Sequence, residues 1–293
     1  MSQKILDDSN ILGVMANLFK WIVGTSTSHR RVPKDIRLDL EWLRRKWRKG
    51  DWELTNCLRG IRVDPLHFGR SLDKDWKWRR NSNHFGNNGL ISGETWIYQV
   101  CILRDGGHGD TEAGISGIKG QGATSLILSD PENSESYADI DQGDKVQYVS
   151  NVGSETAPHS RTEFLIASYE WYILRQTMKR EEEDQKEKVR SDVEAEDRPV
   201  RLFRSWRLPE VNRLRPKEGF RYDGLYDVVA SQVIDATRSL YRFTLQRRAN
   251  QGEIRVDQPD DQMCLLYFNT RGVQKAERKR FFRDQARGLT SGQ

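Results

Sequence analysis

Hydrophobic positions recur at helical spacing through the first fifty residues, and then the period changes. Val14, Met15, Leu18 and Ile22 follow Ser9 and Asn10, either of which suits a helix N-cap. Ile36, Leu40, Leu43 and Trp47 line one face of a second helix predicted over 35–49. Its other side carries Arg37, Arg44, Arg45, Lys46, Arg48 and Lys49. Residues 1–80 therefore read as helical. Between 85 and 170 the apolar runs shorten and glycines bound them, which predicts strands at 96–103, 125–128 and 146–149. From Thr162 to Arg180 the helical period returns through Phe164, Leu165, Tyr169, Tyr172 and Ile173.

The stretch 179–198 is dense in charge and too poor in apolar residues to offset its ordering entropy. It reads as a surface insertion, either a solvated helical extension or a disordered loop. Strands resume at 199–204, 225–229 and 241–245. After Gly252 a short strand is predicted at 264–268 and a basic helix over 274–287. The organisation expected is a helical extension over 1–64, a domain over 65–255 and a polar, then basic, tail over 256–293.

At 293 residues the chain buries a real core. A net charge of +5 and a pI near 9.0 suit nucleic acid, and suit ordinary solubility equally well. Cys57, Cys101 and Cys264 form no CxxC pair, which argues against a disulfide framework and a structural zinc site. The apolar stretch 11–23 is broken by Asn17 and Lys20, too short to cross a membrane, and preceded by Asp7 and Asp8 rather than by a signal peptide's basic residues. A soluble, intracellular protein is expected. The five histidines are scattered, without HxxxH or HExxH spacing, and the HxE…PCxxC deaminase pattern is missing. No catalysis and no cofactor are expected.

Gly114, Gly117, Gly120 and Gly122 cluster beside a predicted strand, where backbone can approach a ligand or adopt positive φ. Neither a P-loop ending nor a full GxGxxG fingerprint accompanies them. A hairpin-rich sheet explains them as readily as a ligand does.

Order and spacing of several segments carry more. Phe85-Gly86, Gly93 and Trp96 precede Ala113-Gly114-Ile115-Ser116-Gly117 and Ser125-Leu126-Ile127-Leu128. Tyr137-Ala138-Asp139-Ile140-Asp141-Gln142-Gly143, Tyr148, Pro199-Val200-Arg201 and Arg221-Tyr222-Asp223-Gly224 follow. Together they resemble the SRA-YDG (SET and RING associated) family, whose members bind modified cytosine in DNA by swinging the base out of the duplex. The resemblance covers roughly 65–250.

The resemblance implies an α+β fold, SRA/PUA-like: a curved, barrel-like mixed β-sheet flanked by helices, with the N-terminal helical extension packed on it. It also implies a modified-base pocket of Tyr137, Asp139, Tyr148, Val149 and Gly117. Tyr137 and Tyr148 would stack on the base, Asp139 would accept from the cytosine amino group, and N–H groups from 129–133 would meet the other edge. Val149 stands where the family usually has threonine. Thr111 or Glu112 falls at the position of a plug for the emptied duplex, and Arg161 resembles a base-reading arginine. Lys119, Arg161, Arg215, Lys217 and Arg221, all in predicted loops, are the expected phosphate contacts. The partner implied is double-stranded DNA with modified cytosine, in the nucleus, with chromatin proteins as further partners through 179–198. The alternative is the same fold with a degenerate pocket, serving as a chromatin or protein-interaction module.

Overall fold

The computed structural model describes residues 34–50, 58–64, 69–74, 76–129, 139–151, 161–184 and 197–286, with isolated positions before residue 21. Helix α1 (Lys34–Arg48) matches the predicted amphipathic segment, and Trp47 on its apolar face is buried. A small antiparallel hairpin, β1 (Ile61–Val63) and β2 (Arg70–Leu72), occupies part of the stretch read as helical. In place of the single strand predicted over 96–103 there is a short strand β3 (Thr95–Trp96) and then helix α2 (Gln99–Arg104). The reason is burial. Val100 to Arg104 are all buried, so no polar face marks the helix, and a continuous apolar run does not by itself separate helix from strand.

The remaining strands are β4 (Ile115–Ile118), β5 (Gly122–Leu128), β6 (Ile140–Asp141), β7 (Lys145–Asn151), β8 (Val200–Ser205), β9 (Phe220–Asp235) and β10 (Leu240–Arg247). With β3 they form an eight-stranded sheet of order β4-β5-β8-β9-β10-β7-β6, in which β3 pairs with the start of β9. β5 and β8 run parallel while the other pairings are antiparallel, which makes the sheet mixed. Its central strands are buried on both faces. Ile127, Phe203 and Tyr222 enter one core cluster, and Leu126, Leu128, Leu202 and Tyr226 enter the other. Fully burying one leucine side chain contributes about 1.5–3 kcal/mol.

The pairing path does not close among the described residues, so the sheet is open rather than a barrel. It is nevertheless curled. Arg204 on β8 reaches Asp141 on the edge strand β6 at 2.8 and 2.6 Å, and the Tyr226 hydroxyl donates to the Gly143 carbonyl at 2.8 Å.

Helix α3 (Thr162–Asp184) packs across β4, β5 and β9, and its Ser168 hydroxyl accepts the Ala123 N–H at 2.8 Å. It runs into the charged stretch 179–198, of which 185–196 lie outside the described residues. Helix α4 (Asp261–Ala286) takes in both the predicted strand at 264–268 and the predicted basic helix. Its Met263 and Tyr267 are buried in the first core cluster, and Tyr267 shares a 3.1 Å hydrogen bond with Thr95. The stretch read as a tail thus begins with a helix that completes the core.

The Tyr-Asp-Gly segment lies in β9 and works as a structural junction. Tyr222 donates to Asn87 Oδ1 at 2.6 Å. Asp223 accepts from Arg204 at 2.7 Å and from Arg221 at 2.6 Å, and none of the three side chains is exposed. Gly224 has φ +105°, and a Cβ there would lie 2.7 Å from Gln251 Oε1. Arg201 is also fully buried and donates to the carbonyls of Gly107, His84, Gly86 and Ser82. Burial lowers its pKa to about 10.

Candidate functional site

The approach to the glycine cluster is a loop held from three sides. Asp110 Oδ1 accepts the N–H groups of Glu112 and Ala113, each at 2.8 Å, as in an Asx turn. Its Oδ2 accepts from Arg161, just ahead of α3, at 2.6 Å. Burial alone would raise the Asp110 pKa; the two N–H groups and Arg161 outweigh it and hold the carboxyl below its ordinary value. Gln99 on α2 donates to the Ala113 carbonyl at 2.9 Å. Under the loop, fully buried His108 bridges it to β5: Nε2 donates to the Ala113 carbonyl and Nδ1 accepts from the Ser125 hydroxyl, each at 2.8 Å. Burial pushes the His108 pKa down to about 4, so the ring is neutral at pH 7.

Beyond this loop the curl of the sheet brings β7 against the entry to β4. Tyr148 is half-buried, and a Cβ added at Gly114 would sit 3.5 Å from its hydroxyl oxygen. Asp139, immediately before β6, accepts the Val149 N–H at 2.8 Å. Burial, then the Asp139 charge, raises the Tyr148 pKa. Three predicted site residues, Asp139, Tyr148 and Val149, are therefore together, with Gly114 facing them. Val149 acts here through its backbone, so a side chain without a hydroxyl costs this contact nothing. Gly117 sits elsewhere on β4: a Cβ there would meet Gly122 O at 2.5 Å and Phe164 Cγ at 2.6 Å, so it serves the packing of α3. Tyr137 and the predicted N–H donors of 130–133 lie outside the described residues.

The basic residues expected at phosphates divide. Lys119 is exposed in the turn between β4 and β5, and Glu112 is exposed on the loop above Asp110. Arg161 is partly exposed and engaged with Asp110. Arg215 is half-buried and donates to the Trp206 carbonyl at 2.6 Å. Lys217 is exposed and pairs with Asp261 at 2.6 Å. Arg221 lies in β9 rather than in a loop, and its buried guanidinium faces Asp223, so it corrects the expectation of a surface contact.

Residues 84–251 match the family model of the SAD/SRA domain. The chain belongs to the SAD/SRA domain family. Among curated relatives, E3 ubiquitin-protein ligase UHRF2 of Homo sapiens is 31% identical over 153 residues, and UHRF1 of Danio rerio 28% over 152. Each match covers 50% of this chain, but 18% and 19% of those proteins respectively. Among solved structures, the SUVH5 SRA domain in complex with methylated CHH DNA aligns with 59% of this chain and 99% of its own, at 21% identity and a TM-score of 0.39. The modification-dependent TagI restriction endonuclease aligns with 58% of this chain and 54% of its own, at 23% identity and a TM-score of 0.38. Among the described residues no cluster of His, Cys, Asp and Glu could hold a metal ion, and no helix is long and apolar enough to cross a membrane.

Motif reading of this SAD/SRA chain missed the supports of the site. His108-Gly109-Asp110 reads as a glycine-rich turn, although its two side chains shape the loop in front of Gly114. The signal was local: an aspartate two residues before Glu112 and three before Ala113 is an Asx-turn spacing. Asp141, two residues past the expected pocket aspartate, holds buried Arg204.

Proposed function

We propose that this chain is a non-catalytic reader of double-stranded DNA that takes a flipped, modified cytosine into a pocket formed by Asp139, Tyr148 and the Gly114 loop. Family membership supports the general reading. One observation carries the specific one: the Asp139–Val149 hydrogen bond stations a carboxylate beside Tyr148, opposite a glycine that keeps the backbone low. Extruding a base costs a few kcal/mol of pairing and stacking, which a pocket must replace. Stacking on Tyr148 returns about 1–3 kcal/mol. A carboxylate accepting from the amino group of cytosine favours C over T, which has a carbonyl at that position. Tyr137 is the proposed second stacking partner. Gly117 supports the pocket through the packing of α3 on β4.

Lys119 and Glu112 flank this site on exposed turns. Lys119 has no ion-pair partner among the described residues and is the proposed phosphate contact nearest the glycine cluster. Nuclear location, CpG context and chromatin partners belong to the same reading. Asp139→Ala tests it directly. Loss of the preference for a modified duplex in a folded variant supports the pocket. An unchanged preference would place recognition elsewhere and favour the alternative of a degenerate pocket.

A further inference from the structure

An exposed aromatic and a group of exposed cations stand outside the pocket, on the segment between β2 and the 82–86 stretch. Trp78 is 72% exposed, and its ring stands edge-on against Trp76, with centroids 5.0 Å apart at 60°. Trp76 is pinned in turn: its ring lies over Gly60, where a Cβ would meet it at 2.4 Å, and its backbone N–H donates to the Asp73 carbonyl at 3.0 Å. The exposed indole therefore rests on a fixed base. Lys74, Lys77 and Arg79 around it are exposed, and none has a carboxylate partner among the described residues. Asp75, the one acid in the stretch 74–80, lies outside the described residues. The position contrasts with Lys217, Arg175 and Arg248, which are exposed or partly exposed and all paired to aspartates.

The segment is tied to the site. Arg80 donates its N–H to the Arg104 carbonyl at 3.1 Å and its guanidinium to the Asn88 carbonyl at 2.6 Å. Arg201 holds the Ser82 carbonyl at 2.7 Å, and a Cβ on Gly109 would lie 3.1 Å from Ser82 Oγ. Trp78 stands four positions before Ser82, so its Cα lies within about 14 Å of that of Ser82, which packs beside the 108–113 loop. That reach equals about four base pairs of duplex.

We infer that Trp78 with Lys74, Lys77 and Arg79 forms a second contact to duplex DNA, gripping the sugar–phosphate backbone beside the flipped base. The inference rests on the reading of the chain as a DNA binder. Ammonium and guanidinium groups suit phosphates, and an indole held rigidly packs on sugars at little entropic cost. The contact carries affinity and register but not recognition of the modified base.

The test is a salt titration of the full chain with one modified and one unmodified duplex of the same sequence, long enough to extend past both contacts. A Lys74→Ser, Lys77→Ser, Arg79→Ser variant is expected to lower the slope of log K against log salt by about 2 to 3 on both duplexes. The ratio of the two affinities stays the same. Trp78→Ala weakens both duplexes equally. Asp139→Ala, by contrast, abolishes the ratio and leaves the slope. An unchanged slope in the triple variant overturns the second contact and points to an acidic protein segment as the occupant. A wild-type slope without a ratio removes the modified-base reading and leaves this contact standing. A wild-type protein that binds neither duplex removes both.

Discussion

Asp139 accepts the backbone N–H of Val149 at 2.8 Å, which fixes the residue ahead of β6 to β7 one position past Tyr148. The bond does two jobs. It orders the carboxylate of the proposed pocket, and it brings its charge next to the Tyr148 ring, where that charge adds to burial in raising the phenol's pKa. Because the donor is main chain, this bond does not depend on a side-chain hydroxyl at 149.

The loop before Gly114 is held by Asp110. Asp110→Ala removes the acceptor of two N–H groups and the partner of Arg161. The expected cost is about 1–3 kcal/mol in urea unfolding, with weaker binding to modified duplex. Asp110→Asn, which still accepts the N–H groups, retains most of the stability. Equal stability of the alanine variant and the wild type would show that Gln99 and His108 hold the loop unaided.

Gly117 has no room for a side chain. Gly117→Ala places a methyl 2.5 Å from the Gly122 carbonyl and 2.6 Å from the Phe164 ring, forcing α3 off β4. A loss of about 1–3 kcal/mol is expected from denaturant melts. Gly120→Ala is the control for space, since nothing lies within 4 Å; its positive φ of +72° adds a smaller backbone cost.

Asp223 holds two buried arginines. Asp223→Ala leaves Arg204 with Asp141 as its carboxylate partner and Arg221 with carbonyls alone. Removing one member of a buried ion-pair network costs about 3–5 kcal/mol, and the loss should appear as a lowered urea midpoint. Binding per folded molecule should keep its preference for modified duplex, because Asp223 has no part in the pocket.

His108 makes stability depend on pH. Its folded pKa is near 4, against 6.5 for an ordinary histidine, so the unfolded chain takes up the proton first as pH falls. Stability is complete above the unfolded value and is lost from about pH 6.5 down towards 4, by up to about 1.4 kcal/mol per unit. From pH 7 to pH 5 the loss amounts to roughly 2 kcal/mol. The same titration in His108→Asn, which keeps a donor and an acceptor, should lack that component. An identical pH profile in both proteins contradicts the assignment.

How far the chain was legible follows from what kind of signal each residue left. The ordered motifs around Gly114, Asp139 and Tyr148 pick out three residues that the fold does bring together, although Gly114 leads into β4 at one end of the strand order while Asp139 leads into β6 and Tyr148 lies in β7 at the opposite end. Helices α1 and α3 and strands β7, β8 and β10 were legible because their apolar positions keep a clear period. Val100 to Leu103 and Cys264 to Phe268 misled for opposite reasons. The first run is buried on every side; the second is a helix that exposes Leu265 and Phe268 and leaves an apolar stretch with no polar face. Arg201, Arg204 and Arg221 were not legible as core residues, since buried arginines are rare unless paired. For two of them the partners lie far off in sequence: Asp141 for Arg204, and the Ser82–Gly86 and Gly107 carbonyls for Arg201.

The most direct measurement is a binding titration of the intact protein, at one moderate salt concentration, with matched duplexes carrying unmodified, hemimethylated, fully methylated or hydroxymethylated CpG. The account predicts at least a tenfold preference for a modified duplex, about 1.4 kcal/mol, lost in Asp139→Ala. Equal affinity for all four duplexes would contradict it and leave contact with the DNA backbone alone.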